Sequence, residues 1–397
     1  MNKSLFTISL LLFIVSWLSA CSSSDTGVVT GETTNSSVQY SIGVNVSGLE
    51  SDGLVLQNNG GDDLAINGNG LHVFATALND SAGYNVSIIS QPEKQLHICE
   101  ISNNSGTVAN SDVTDILVNC SNQDFPVLFD AGVTYANQIY VATGGDDITG
   151  DGTALNPYAT IEKAASVAMP GTRINIATGT YNDTSVISGL QGTEDQPIAI
   201  VGSGGVTMSN AAGSGMHFIK PRYVVLDNLT IQGSANGVNI DDGGEVDNPD
   251  AAAYFIIKNS VISSTGGGNN DAIKASGVNN LTIVNNTLSG AGNGSGIDFV
   301  GCHDSVISGN TIGGGMLSGV QTKGGSSDII IHGNNIENIT TAGARAINAG
   351  GSTGAAFFRP PLVSKLTDPS AVNYEAARII MLANIINSVD SAIAYTG

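Results

Sequence analysis

One asparagine, recurring in a run of similar segments, constrains this chain more than any other feature. Aligned on it, LDNLTI (Asn228), IKNSVI (Asn259), VNNTLS (Asn286), SGNTIG (Asn310) and HGNNIE (Asn334) follow at gaps of 31, 27, 24 and 24 residues. A fixed period of this size marks a solenoid, in which each unit buries its apolar face only against its neighbours. Asparagine tolerates left-handed backbone, and its side chain bonds nearby backbone groups. A stacked asparagine is therefore expected at a coil corner, bonding the amide of an adjacent coil. One three-sided coil takes about one such period.

A second run recurs in each coil: GVNIDD, AIKAS, GIDFVG, GVQTKGG, RAINAGG and AIAYTG. Strand alternation turns Val238, Ile273, Ile297, Val320, Ile347 and Ile393 inward. Asn239, Lys274, Asp298, Gln321, Asn348 and Ala394 then form an outward ladder, with a parallel outward row at Asp241, Ser276, Val300, Lys323, Gly350 and Tyr395. With 51 glycines and only 12% charged residues, the composition suits a turn-rich all-β protein rather than a disordered one. A net charge of −21 excludes a nucleic-acid partner, and an acidic ligand must be met by a few local cations or a metal.

The N-terminus reads as an export signal. Lys3 precedes an apolar stretch from Leu5 to Trp17, too short to span a membrane, and Leu18-Ser19-Ala20-Cys21 has the form of a lipobox. Residues 1–21 are expected to be a lipoprotein signal with Cys21 lipidated, and residues 22–37 a flexible tether. The expected location is the outer membrane, periplasmic side or cell surface, with the lipid anchor as the sole membrane contact and a monomeric chain.

Residues 38–122 alternate and turn like a small β-sandwich, with strands expected at Tyr40–Val46, Leu54–Gln57, His72–Ala75, Tyr84–Ile89, Gln95–Ile101 and Asp115–Cys120. VSGLESDGLVLQNNGGDDLAINGNG, YNVSIISQP and CEISNNSGTV…VNC resemble a repeat of bacterial surface lipoproteins. That resemblance implies an immunoglobulin-like spacer closed by a Cys99–Cys120 disulfide. Cys302 is left over and is expected to be a free, buried small hydrophobe. After a linker at residues 123–138, IYVATGGDDITGDGTALNPYATIEKAASVAMPGTRINIATGTY resembles the opening of right-handed parallel, pectate-lyase-like β-helices. The expected fold is thus all-β: a sandwich, then a right-handed parallel β-helix over residues 139–397. A capping helix is expected to start at Asn156-Pro157, present Ile161, Ala164, Ala165 and Ala168 on one face, and stop at Pro170-Gly171. RAINAGGSTG…FFRPP resembles segments of bacterial β-helix lipoproteins. The repeat texture runs to Gly397 with no capping element, so further coils are expected beyond it.

Such folds serve lyases, hydrolases, epimerases and adhesins alike, so function must come from the site. Eliminating a uronate polymer requires neutralising its carboxylate and a base to remove the adjacent proton. Asp241, Asp242 and Glu245 offer oxygen ligands for Ca2+, or else a solvated acidic loop. Followed by Lys274, they resemble polysaccharide lyase family nine, which implies calcium-holding carboxylates and Lys274 as base; Glu245 replaces that family's Asp. QTKGGSSDIIIHGNNI…ARAINAGG is similar to family six, which implies Lys323 as base and Arg345 as proton donor or stabiliser. Arg345 falls about three residues before the matching register. Asp298, one rung from Lys274, is expected to keep that lysine protonated. Lys323, with no carboxylate on adjacent rungs and Arg345 nearby, is expected to be the better base.

The interruption Ser352–Asn373 brings Phe357, Phe358 and Arg359, with Tyr374 behind it, as stacking surfaces and a cation for a sugar carboxylate. Arg359, Asn348, Gln321 and Asp298 are the expected substrate-binding residues, and an acidic polysaccharide the expected partner. His303 and Asp304 are read as turn residues. The leading expectation is a polysaccharide lyase. A glycoside hydrolase would need paired carboxylates, for which Asp271 and Asp298 are the candidates, and a non-catalytic glycan-binding surface protein is the third reading.

Overall fold

The structure, a computed structural model, describes residues 38–92, 97–122, 128–182, 185–363 and 373–396. The export signal, Cys21, the tether and the middle of the interruption at residues 364–372 lie outside the described residues. The chain divides into two compact units, with a boundary after Cys120.

The first unit carries two four-stranded sheets. In one, Ile42–Ser47 lies between Gly70–Val73, antiparallel, and Val113–Asn122, parallel, with His97–Ser102 beyond. The other orders Asp62–Ala65, Val55–Asn58, Gly83–Ser90 and Ser105–Thr107. Alternation decides which side chains are inside: Ile42, Val44, Leu56, Val86, Ile116 and Val118 are fully buried, and Phe74 and Tyr84 join them. Cys99 and Cys120 form the disulfide, linking neighbouring strands. The strands at Asp62 and Ser105 escape sequence reading because they are only four and three residues long and carry no run of alternating apolar residues.

The second unit winds three parallel sheets in chain order. The first has nine strands, from Asn137–Val141 to Ala376–Leu382. The second has eight, from Gly179–Tyr181 to Ile385–Asn387, and the third eight, from Ser185–Ser188 to Ser391–Thr396. One continuous apolar core fills the coil. The helix spans Ile161–Val167 and begins later than Asn156-Pro157. Thr160 is its N-cap, accepting from the Lys163 amide, and Asp147 fixes the cap by accepting from the Ala159 and Thr160 amides and the Thr160 hydroxyl. Asn156 to Tyr158 instead form a turn bonded to Gly152 and Tyr140. Ile161 and Ala164 join the core, with Ala165 and Ala168 packed against it.

The linker differs from expectation. Leu128, Phe129 and Tyr135 pack over Ala199, Val201, Val225 and Ile256 on the outside of the first sheet. Asp130 pairs with Lys258 at 2.5 Å. An outward row of apolar residues on that sheet is thereby removed from water.

The asparagine stack is real but needs a register correction. Asn286, Asn310, Asn334 and Asn384 point inward, each Oδ1 accepting from the amide of the preceding coil: Ser260, Asn286, Asn310 and Asn334 in turn. Asn228 and Asn259 belong one position earlier, in the left-handed corner shared by Asn285, Gly309, Gly333 and Ala383. Both corner positions favour asparagine, one for its φ and one for its amide, and the sequence alignment merged them.

Candidate functional site

The third sheet places its residues as alternation requires. Val238, Ile273, Ile297, Val320, Ile347 and Ile393 are in register on the inside. On the outside His217, Asn239, Lys274, Asp298, Gln321, Asn348 and Ala394 stack in one column. Asp241, Ser276, Val300 and Lys323 form the neighbouring column, and it ends with Gly350 opposite Thr396, not Tyr395, which lies one residue off that register. At the strand spacing of about 4.8 Å the first column runs for roughly 29 Å.

Its centre is a charge cluster. Lys274 Nζ donates to Asp298 Oδ2 at 2.5 Å and approaches Asp271 Oδ2 at 3.4 Å. Lys323 Nζ lies 2.9 Å from Asp298 Oδ1 as an ion pair. The Asp298 and Asp271 side chains are 1% exposed, whereas Lys274 is 28% and Lys323 16% exposed. Burial, and then the Asp298 charge, push the Asp271 carboxyl up to about 6. Burial alone would lower Lys274, but Asp298 and Asp271 overcome it and hold the ammonium above its ordinary value.

Lys323 therefore does have a carboxylate partner, against expectation. It stands opposite Val300, and its flexible stem reaches diagonally to Asp298, which stands opposite Gln321. Rung-by-rung reading misses such diagonals. Arg345 pairs with Ser318 at the strand's opening, three residues from the Asn348 rung, about 10 Å along the strand. Gln321 makes only long contacts, to Ser295 Oγ at 3.5 Å and Gly350 O at 3.4 Å. Asn348 is buried and accepts from the Thr396 hydroxyl.

The proposed calcium ligands do not converge. Asp241 Oδ2 accepts from His217 at 2.6 Å; burial works to raise its carboxyl, but His217, the Gly243 amide and Asn239 outweigh it and hold it below the ordinary range. Glu245 pairs with Lys220, which lowers its carboxyl too. Asp242 takes a bidentate bond from Arg359, Nε to Oδ2 at 2.5 Å and Nη2 to Oδ1 at 2.9 Å. Each carboxylate faces a different partner. Among the described residues no three His, Cys, Asp or Glu side chains gather to hold a metal. The set does not fit Ca2+ as it stands.

Arg359 is correspondingly not offered to a sugar. The segment after Gly350 forms a strap along the coil corner, and Arg359 lies buried in it. Its side chain runs over Gly301, where a Cβ would come within 2.5 Å of the arginine's own Cβ. Its carbonyl accepts from His303 Nε2 at 3.1 Å, and its amide donates to Gly324 O at 3.0 Å. His303, which opens strand His303–Ser308 and is not a turn residue, also meets Ser327 Oγ at 2.8 Å, and burial lowers its basicity. Glu375 clasps the strap's neck, accepting from the Gly324 amide and from the Thr353 amide and hydroxyl. Phe358 is buried and Phe357 exposed. Between the strap and the loop at Val246–Pro249 lies a cavity of about 340 Å3. Cys302 is free and buried, its thiol pushed up to about 12 by burial, which rules it out as a nucleophile.

Sequence reading missed His217, whose coil lacks the corner asparagine, and Glu375, which follows the interruption.

Residues 204–357 match the family described as the right handed beta helix region. No curated protein matches the chain. Among solved structures it is similar to an alginate lyase from Paenibacillus sp. str. FPU-7, at 14% identity and TM-score 0.34, covering 64% of this chain and 99% of that one. A lacto-N-biosidase of glycoside hydrolase family 136 from Eubacterium ramulus gives 11% identity and TM-score 0.34, covering 66% and 68%. The A-module of a mannuronan C-5 epimerase from Azotobacter vinelandii gives 12% and 0.28, covering 59% and 93%. With three parallel sheets wound in chain order, and that family's pattern across residues 204–357, the second unit is a right-handed parallel β-helix.

Proposed function

We propose that the outer face of the third sheet binds a carboxylated polysaccharide and that the protein cleaves it by β-elimination, tethered to the outer membrane through Cys21 with the first unit as spacer. The observation that carries this reading is the convergence of Lys274 and Lys323 on one buried carboxylate within an outward polar ladder. A uronate carboxylate entering there meets ammonium groups that offset its charge and make the adjacent carbon acidic. Lys274, kept protonated by its two carboxylates, supplies the cation. Lys323, as the neutral amine, takes the proton as the carbon–oxygen bond to the leaving sugar breaks and a double bond forms, and the ammonium so made returns it to the leaving oxygen. Calcium at Asp241, Asp242 and Glu245 has no part in this scheme. A hydrolase reading is disfavoured because Asp271 and Asp298 are 1% exposed and lie beneath the lysines.

Ultraviolet absorbance of unsaturated products, over alginate, pectate and glycosaminoglycans, tests it. One polymer should yield product, and Lys323→Ala should lose about 100-fold or more of the rate while its circular dichroism shows the fold intact. Silence across all three sinks the lyase. The observation that favours a second reading is that protein carboxylates already balance both lysines. On that reading the same polymers bind without being cut.

A further inference from the structure

We propose a second saccharide site, on the outside of the first sheet, where a neutral pyranose ring stacks on Tyr254. Strand pairing sets Arg222 opposite Ala253 and Val224 opposite Phe255, so Tyr223 and Tyr254 stand in step between them. The same column continues through Asn280, Asp304, Asp328 and Arg378. Every member is left-handed, with φ between 49° and 59°. Asn and Asp adopt that conformation readily, but a bulky tyrosine rarely does, and here two occur in succession. Strained backbone of this kind persists only where the surrounding structure holds it, and here the whole column of the coil does so.

The two rings lie parallel, 4.4 Å apart at an interplanar angle of 3°. Phe129 meets Tyr223 edge-on at 5.6 Å, and the Arg222 guanidinium lies 5.7 and 5.4 Å from the two ring centres. The stack is thus buttressed and preorganised. On the next rung Asn280 is too short to extend it, and a cavity of about 200 Å3 is lined there by Tyr223, Tyr254, Asn280, Thr282, Asp304 and Glu194. An aromatic face takes the C–H face of a sugar ring, while carboxylates and an amide at its rim bond hydroxyls. Asp304 and Glu194 are anionic, so they repel a uronate and select an uncharged ring. The volume falls below the range of ordinary ligand pockets and suits a single ring. This site lies on a different face from the lysine cluster and takes a ligand of different charge, so either proposal can fail alone.

Titration of the full chain with cellohexaose, xylohexaose and mannohexaose by calorimetry, with saturation-transfer NMR, tests the site. At least one should bind, with transfer to the ring's axial protons. Tyr254→Ala should weaken it about tenfold or more and Tyr254→Phe by less than about threefold, since stacking needs the ring and not the hydroxyl. Asn280→Tyr should block the site by extending the stack, which keeps the test valid if the alanine variant does not fold. Lys323→Ala should leave this binding unchanged. No binding of any of the three sugars overturns the proposal. So does equal loss in Tyr254→Phe and Tyr254→Ala, or full binding in Asn280→Tyr.

Discussion

Two polar ladders climb the β-helix, and they solve the burial of polarity in opposite ways. The inner one, Asn286–Asn310–Asn334–Asn384, is uncharged, and every side chain both accepts from one backbone amide and donates to a carbonyl. The outer one, His217 to Asn348, is partly charged, and its central members satisfy each other by ion pairs. Backbone partners cannot leave, so the inner ladder is permanent structure. Side-chain partners with exposed ammonium groups can be exchanged for a ligand carboxylate. Exposure, more than charge, should therefore separate structural from functional polarity in this solenoid.

The sharpest way to break that rule is a charge pair on the outside that is fully buried. Arg359 and Asp242 are such a pair, and by this argument they behave like the inner ladder. Arg359→Ala leaves the Asp242 carboxylate unpaired, which should cost about 3–5 kcal/mol of unfolding free energy in urea. A loss near zero would mean the strap is optional. Next in size is Asn310→Ala, which takes the Oδ1 acceptor from the Asn286 amide and the Nδ2 donor from the Ile283 carbonyl in the buried interior. About 2–4 kcal/mol is expected, by the same measurement.

The outer cluster should instead answer to pH. The Asp271 carboxyl sits at about 6 in the folded chain, above its ordinary value, because burial and Asp298 favour the protonated form. That contribution is complete below the unfolded value and fades as pH rises through about 6. Asp271→Asn removes the titration while keeping an acceptor for the Ser295 amide. The variant's stability relative to wild type should rise by about 2–3 kcal/mol between about pH 4 and pH 8. A difference independent of pH would show that folding does not raise the Asp271 carboxyl above its unfolded value.

Much of this is legible in the sequence, and the boundary of legibility is physical. The inward row from Val238 to Ile393 emerges at its register because a strand has period two and the core tolerates only apolar residues there. The lysines and Asp298 were found on the correct face for the same reason. The ion pair of Lys323 is invisible in the sequence because alternation fixes the face a side chain leaves from, not how far along it a flexible stem reaches. Arg359 was misjudged because its partner lies 117 residues earlier and no local pattern records the strap's path. Asn228 and Asn259 align one register late because two adjacent corner positions prefer the same residue for different reasons.

The smallest predicted effect on stability tests the outer ladder most directly. Gln321 lies between Asp298 and Asn348 in the column, and its two contacts, at 3.4 and 3.5 Å, sit at the long limit for hydrogen bonds. Neither the Ser295 hydroxyl nor the Gly350 carbonyl depends on so weak a partner. Gln321→Ala should therefore change unfolding free energy by less than about 0.5 kcal/mol. Yet the amide stands one rung from the carboxylate that both lysines share, where a polymer lying along the column must pass. Binding of the polymer that gives a signal should weaken about threefold to tenfold, the effect of losing one ordinary hydrogen bond. Unchanged stability with weakened binding would mark the ladder as a ligand track. Lost stability with unchanged binding would mean that the outer column, like the inner one, exists to hold the coils together.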